Sequence, residues 1–143
     1  MTRMIHMEFN IEGGNFSRAG YASSEVKKLL KRMNVDQSII KRTVVASYEA
    51  EVNVVAHAYS ANMTVNIEDE TLTLVFDDRG PGIPDIEQAM QAGFSTASSK
   101  VREMGFGAGM GLPNIKKNAD RLDITSEADK GTRVTITMEL GII

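Results

Sequence analysis

The chain has 143 residues, 42% of them hydrophobic, which is enough for one domain with a proper core and too few for two ordinary ones. Its formal charge of −3, with acids and bases interspersed, leaves no broad basic surface to neutralise nucleic-acid phosphates, so no direct nucleic-acid partner is expected. The lack of cysteine excludes disulfides and thiolate chemistry, the start MTRMIHMEF has no apolar secretion core, and no apolar run approaches the ~20 residues that span a bilayer; a cytoplasmic domain without a membrane partner is expected.

Ile5, Met7, Phe9 and Ile11 alternate with polar residues up to Gly13-Gly14, which predicts an opening strand. From Phe16 the period changes. Ala19, Ala22, Val26, Leu29, Leu30 and Met33 recur at three and four, as on an amphipathic helix. Asn34 or Asp36 can cap a second helix, whose apolar positions Ile39, Ile40, Val44, Tyr48, Val52, Val55 and Tyr59 continue to Ser60-Ala61-Asn62. Met63, Val65 and Ile67, the turn Glu68-Asp69-Glu70, and Leu72, Leu74 and Phe76 predict a β-hairpin that delivers the chain into Asp77-Asp78-Arg79-Gly80-Pro81-Gly82. A short helix is expected at Asp85 to Gln91, and a mobile loop over residues 93–109. A helix marked by Leu112, Ile115, Ala119 and Leu122 follows. The chain closes with a short strand at Asp123 to Glu127 and a last strand through Val134, Ile136, Met138 and Leu140. This order suits a single domain over residues 1–143, with helices gathered on one face of a sheet.

Four segments carry chemistry. Glu49 and Asn53 lie four apart on one helix face, where a carboxylate can orient or deprotonate a hydroxyl or water and an amide oxygen can ligate Mg²⁺; a pair of this spacing is also common as a solvated helix edge. Asp78-Arg79-Gly80-Pro81-Gly82 follows a strand. Gly80 and Gly82 permit close backbone approach to a purine and Asp78 can accept from its exocyclic amine, although the same residues also make tight turns. Gly105, Gly107, Gly109 and Gly111, with Met110 between, run into a helix at Leu112 and present bare N–H groups to a phosphate. Lys100 and Arg102 can close over a terminal phosphate, or remain solvated. Gly131-Thr132 opens the last strand, where the hydroxyl can assist Asp78. His6 and His57 form no carboxylate cluster, so no dedicated zinc centre is expected and any metal arrives with a ligand.

In this order, Glu49-Ala50-Glu51-Val52-Asn53, Asp78 to Gly82, Gly107 to Gly111 and Gly131-Thr132 resemble the N, G1, G2 and G3 boxes of the GHKL ATPases. Within that superfamily the chain looks most similar to the small bacterial anti-sigma factors and switch serine kinases, through the helix Glu49 to Ala58, the turn Gly80 to Ile83 and the lid start Gly93-Phe94-Ser95-Thr96. The resemblance implies an α+β two-layer Bergerat sandwich with a mixed, mainly antiparallel sheet, and ATP and Mg²⁺ as cofactors. It implies that Asn53 holds Mg²⁺, Glu49 activates the acceptor, Asp78 reads adenine and the Gly107 to Gly111 segment cradles the phosphates, with Leu112 counted among the nucleotide-binding residues. The implied acceptor is a serine or threonine of a STAS-domain partner. Family members commonly form homodimers, and some hold a sigma factor. Three functions follow: a serine/threonine protein kinase, a nucleotide-gated anti-sigma module, or an ATPase subunit of a larger assembly.

Overall fold

A computed structural model of the chain describes residues 4–83, 85–91 and 111–141; the expected lid, with Lys100, Arg102, Gly107, Gly109 and Met110, lies outside them. The alternating segments form five strands: β1 (Met4–Glu12), β2 (Ser60–Glu68), β3 (Thr71–Arg79), β4 (Arg121–Glu127) and β5 (Gly131–Glu139). They lie in the order β1-β2-β3-β5-β4, and every pairing is antiparallel. A mixed sheet was expected. β4 does run parallel to β3, but its hairpin partner β5 is inserted between them, so no parallel ladder forms among the described residues. β3 also continues through Asp77, Asp78 and Arg79, which therefore lie in the strand and not beyond it.

Side chains of one row across the sheet share a face. Phe9, Met63, Phe76, Val134 and Ile124 make one such row on the helix side. Met63 and Phe76 there are 0% and 1% exposed. This apolar face, continued by Val65, Leu74 and Ile136, forms the core with the helices.

The central helix is α2 (Gln37–His57), capped by Asp36, whose carboxylate accepts from the Ser38 N–H at 3.2 Å. It packs across β1, β2, β3 and β5. So many neighbours require small residues, and Ala46, Ser47 and Ala50 are buried along it. Tyr48 and Tyr59, read as part of its apolar stripe, are 39% and 76% exposed. The helix stops at His57 because the Tyr59 N–H already donates to the Arg79 carbonyl at 2.8 Å, which commits Ser60, Ala61 and Asn62 to β2. The short α3 (Ile86–Ala89) is capped by Asp85, and α4 (Gly111–Asn118) packs on α2 and β4 through buried Leu112 and Ile115. Leu122 belongs to β4. No helix among the described residues is long and apolar enough to cross a membrane.

The helix expected from Phe16 onward is divided. A 3-10 turn at Phe16–Arg18 precedes Gly20, and α1 (Tyr21–Arg32) starts only after it. Gly20 has φ +96°, a conformation that breaks helix continuity and offers α1 no capping side chain. Glu51 of α2 supplies the cap instead. Its carboxylate, 2% exposed, accepts from the N–H groups of Gly20 at 2.8 Å, Ser23 at 2.9 Å and Ala22 at 3.3 Å, and from the Ser23 hydroxyl at 2.7 Å. Ser47 completes the cluster, 2.8 Å from the Ser23 hydroxyl. Glu51→Ala strands these donors in the core and is expected to lower unfolding free energy by about 3 kcal/mol, measured by urea titration. Glu51→Gln, which keeps one acceptor oxygen, is expected to fall between the two, and a cost for Ala within about 0.5 kcal/mol of zero contradicts this account.

Candidate functional site

The apolar pattern of the sheet stops one row beyond Phe76. There Ile11 pairs with Ala61, Ala61 with Asp78, and Thr132 with Ser126, so three polar side chains stand on the helix face where the core ends. Asp78 Oδ1 accepts from the Thr132 N–H at 2.9 Å, and no hydrogen bond to Oδ2 is made among the described residues. Partial burial raises the Asp78 pKa above the usual carboxylate value; the Thr132 N–H opposes the shift and the neighbouring Asp77 charge adds to it. The Ser126 hydroxyl lies 2.9 Å from that of Thr132 and accepts from the Ile83 N–H at 2.7 Å. The segment after β3 is thereby tied to the β4–β5 hairpin. Gly131, at φ +148°, passes so close to β3 that a Cβ would stand 2.0 Å from the Asp78 carbonyl oxygen.

Asp78, Ser126 and Thr132 also line a cavity of about 340 Å³ that extends to Asp77, Thr125 and Arg133. Two pairs of its charges neutralise each other, Arg133 with Asp77 at 3.1 Å and Lys130 with Glu127 at 3.0 Å, while Asp78 has no ion pair among the described residues. The polar row is therefore the part of this cavity best suited to a ligand.

α2 brings Glu49 and Asn53 toward α4. A Cβ on Gly111 would lie 2.7 Å from Asn53 Oδ1 and 2.9 Å from Nδ2, so the bare Gly111 backbone abuts the Asn53 amide. One turn further along α4, Asn114 comes level with Glu49, the two helices running antiparallel from the Gly111–Asn53 contact to the Arg42–Asp120 ion pair at 2.6 Å. Burial raises the Glu49 pKa, and the Asn114 contact offsets part of that rise. The end of α2 in turn meets the segment after β3, since a Cβ on Gly80 would lie 3.1 Å from Ala58 Cα. Gly82 lies against the Glu127 carbonyl. His57, one turn beyond Asn53, has its pKa lowered by burial.

Of the residues singled out in the sequence, the structure pairs Asp78 with Thr132 and sets Asn53 against Gly111, while Leu112 turns into the core at 8% exposure. Asn114 and Ser126 were not anticipated. Each sits at an ordinary position of a helix or strand, and only the packing of distant elements brings it to the site.

The model of the histidine kinase-like ATPase domain family matches residues 17–138 of this chain. The chain belongs to the histidine kinase-like, or GHKL, ATPase family. This GHKL domain is 31% identical to the anti-sigma F factor of Geobacillus kaustophilus over 142 residues, covering 94% of this chain and 90% of that protein. It is 40% identical to the serine/threonine-protein kinase RsbT of Bacillus subtilis over 63 residues, 44% of this chain and 41% of the kinase. A crystal structure of the RsbU and RsbW domains of Rv1364c from Mycobacterium tuberculosis superposes with a TM-score of 0.63 at 18% identity, covering 96% of this chain and 32% of that one, a likeness of fold.

The raised pKa of Asp78 gives the GHKL domain a testable pH dependence. A carboxyl group whose folded pKa lies above its unfolded value of about 3.9 favours the fold fully below that value, and the contribution is lost as pH rises through the folded pKa. Asp78→Asn keeps an oxygen for the Thr132 N–H and removes the desolvated charge. It is expected to melt higher than wild type at about pH 8, the difference shrinking as pH falls through the raised pKa; equal Tm values across that range contradict the assignment.

Proposed function

We propose that this GHKL domain is a cytoplasmic Mg·ATP-dependent protein kinase of a partner-switching pathway, phosphorylating a serine or threonine of a STAS-type partner. The observation that carries the reading is the half-buried Glu49 carboxylate, whose raised pKa makes it a stronger base than a solvated glutamate, one helical turn from the Asn53 amide.

The residues present suit the nucleotide. Asp78 offers Oδ2 to an exocyclic amine, Gly131 lets the last strand pass tightly beneath that site, and Asn53 offers an amide oxygen to a hard cation beside the open backbone of Gly111. Thr132 and Ser126 supply hydroxyls near Asp78, and Gly80 and Gly82 line the same turn. Lys100, Gly107, Gly109, Met110, Gly111 and Leu112 belong to the segment assigned to the phosphates, Lys100 to Met110 lying outside the described residues. Bound Mg²⁺ would supply charge neutralisation on the phosphates. Glu49 takes the proton of the acceptor hydroxyl as its oxygen bonds to the γ-phosphorus, the bond from that phosphorus to the leaving oxygen breaks, and ADP departs. The rest of the site serves alignment and charge stabilisation.

A second reading is a nucleotide-gated anti-sigma module without essential turnover. It is favoured by the Geobacillus kaustophilus relative named anti-sigma F factor, which aligns over 94% of the chain, whereas the kinase-named relative aligns over 44% of it. Capture of partners from lysate with Mg·ATP, by wild type and Glu49→Ala side by side, separates the two when followed by phosphosite mapping. The kinase reading expects a partner phosphorylated on serine or threonine with wild type alone, with transfer by the variant reduced at least about 100-fold. A partner held equally by both forms and never phosphorylated overturns it in favour of sequestration.

A further inference from the structure

Helices α2 and α4 run against each other in an antiparallel register that matches residue to residue. Gly111 at the start of α4 meets Asn53, and Asp120 just past its end pairs with Arg42 at 2.6 Å, so Asn114, three positions after Gly111, comes level with Glu49, four positions before Asn53. Spacings of three and four each return to the same helix face, so both pairs of positions belong to one seam. The rotation of α4 about its axis is fixed by Leu112 and Ile115, 8% and 0% exposed. Its last turn is tied back by the Asn118 amide, which donates to the Asn114 carbonyl at 2.8 Å. The side chain at position 114 is thereby committed to the seam.

An amide at this half-buried position costs free energy unless it is bonded, and the polar group level with it across the seam is the carboxylate on which the proposed reaction turns. We propose that Asn114 is a positioning residue for phosphotransfer, its side-chain N–H fixing the orientation in which the Glu49 carboxylate receives the acceptor proton. The inference rests on the reading of Glu49 as the proton acceptor. A glutamate side chain turns about three bonds, and a single directional donor removes most of that freedom before substrate arrives. A neutral donor suits this role. A lysine or arginine at the same place would orient the carboxylate equally well but hold its electrons too strongly for it to accept a proton. The two cations of the same helix, Lys116 and Lys117, are exposed.

The test uses the full chain and Mg·ATP alone, with water as acceptor, in wild type, Glu49→Gln, Asn114→Ala, Asn114→Asp and Asn114→Gln. Asn114→Ala is expected to lower kcat about tenfold with KM for ATP and the melting temperature little changed. Asn114→Asp, the closest in shape, is expected to fall at least as far because it offers no N–H, and Asn114→Gln to recover part of the loss. A purely packing role predicts the reverse order, with Asp mildest, and that order overturns the proposal. Nitrogen-15 NMR of the nucleotide-free chain reads the contact independently of turnover: the Asn114 side-chain amide resonance is expected to shift in Glu49→Gln, and an unmoved resonance overturns the proposal. Loss of turnover in Glu49→Gln with full turnover in the Ala and Asp variants removes Asn114 alone. Full turnover in Glu49→Gln removes the base assignment, and this proposal with it.

Discussion

The buried carboxylate of Glu51 is the constraint on which the helical layer depends. α1 begins at a glycine in a left-handed conformation and brings no capping side chain of its own, so its first N–H groups would be orphaned in the interior. Glu51 receives three of them together with a hydroxyl, and a carboxylate has enough lone pairs to do so. A charged group so deeply placed is tolerated only because every donor around it points inward. The bond network fixes α1 against α2, and with it the roll of α2 on the sheet. Glu49 and Asn53 are held two residues to either side of this anchor, on the side of the helix turned toward α4.

The second organising feature is the place where sheet pairing outlasts apolar patterning. β3 and β5 keep their ladder past Phe76 and Val134, and the next positions on the same face are Asp78 and Thr132. A polar row that remains hydrogen-bonded into a rigid sheet differs from a polar loop, because its side chains cannot relax away from a ligand. The close passage of Gly131 and the Ser126 bridge to Ile83 add to that rigidity. Burial then acts on charges held in place, which is why both Asp78 and Glu49 have raised pKa values.

Much of this was legible in the sequence. Period-two alternation marked four of the five strands, the fifth was expected only as a short strand at Asp123 to Glu127, and the ordered motifs singled out Glu49, Asn53, Asp78 and Thr132. What stayed hidden depended on contacts between elements far apart along the chain. Glu51 read as one more polar residue of α2 because its partners lie 28 to 31 residues away in α1. Tyr48 matched an apolar period yet is exposed, since the buried face of α2 in its middle turns is made by Thr43, Ala46, Ser47 and Ala50, small or polar residues that a hydrophobic count undervalues. The break at Gly20 was masked by an apolar spacing that continued through it. Asn114 and Ser126 carry no signature at all, since an amide on a helix and a serine on a strand become site residues only when another element is laid beside them.

The insertion of β5 between β3 and β4 has a consequence for how the protein reaches its working form. Asp78 and the Thr132 N–H that it receives are 54 residues apart, and the strand bearing Thr132 is the last of these five to be synthesised. Until β5 is threaded into place, β3 presents a naked edge and β4 has no neighbour. Closing so long a stretch of chain is entropically slow compared with forming the helices or the β2–β3 hairpin. The polar row at Asp78 and Thr132 is therefore among the last parts to mature. A nascent chain exposes its most adhesive strand edge during the interval before it can hold a nucleotide.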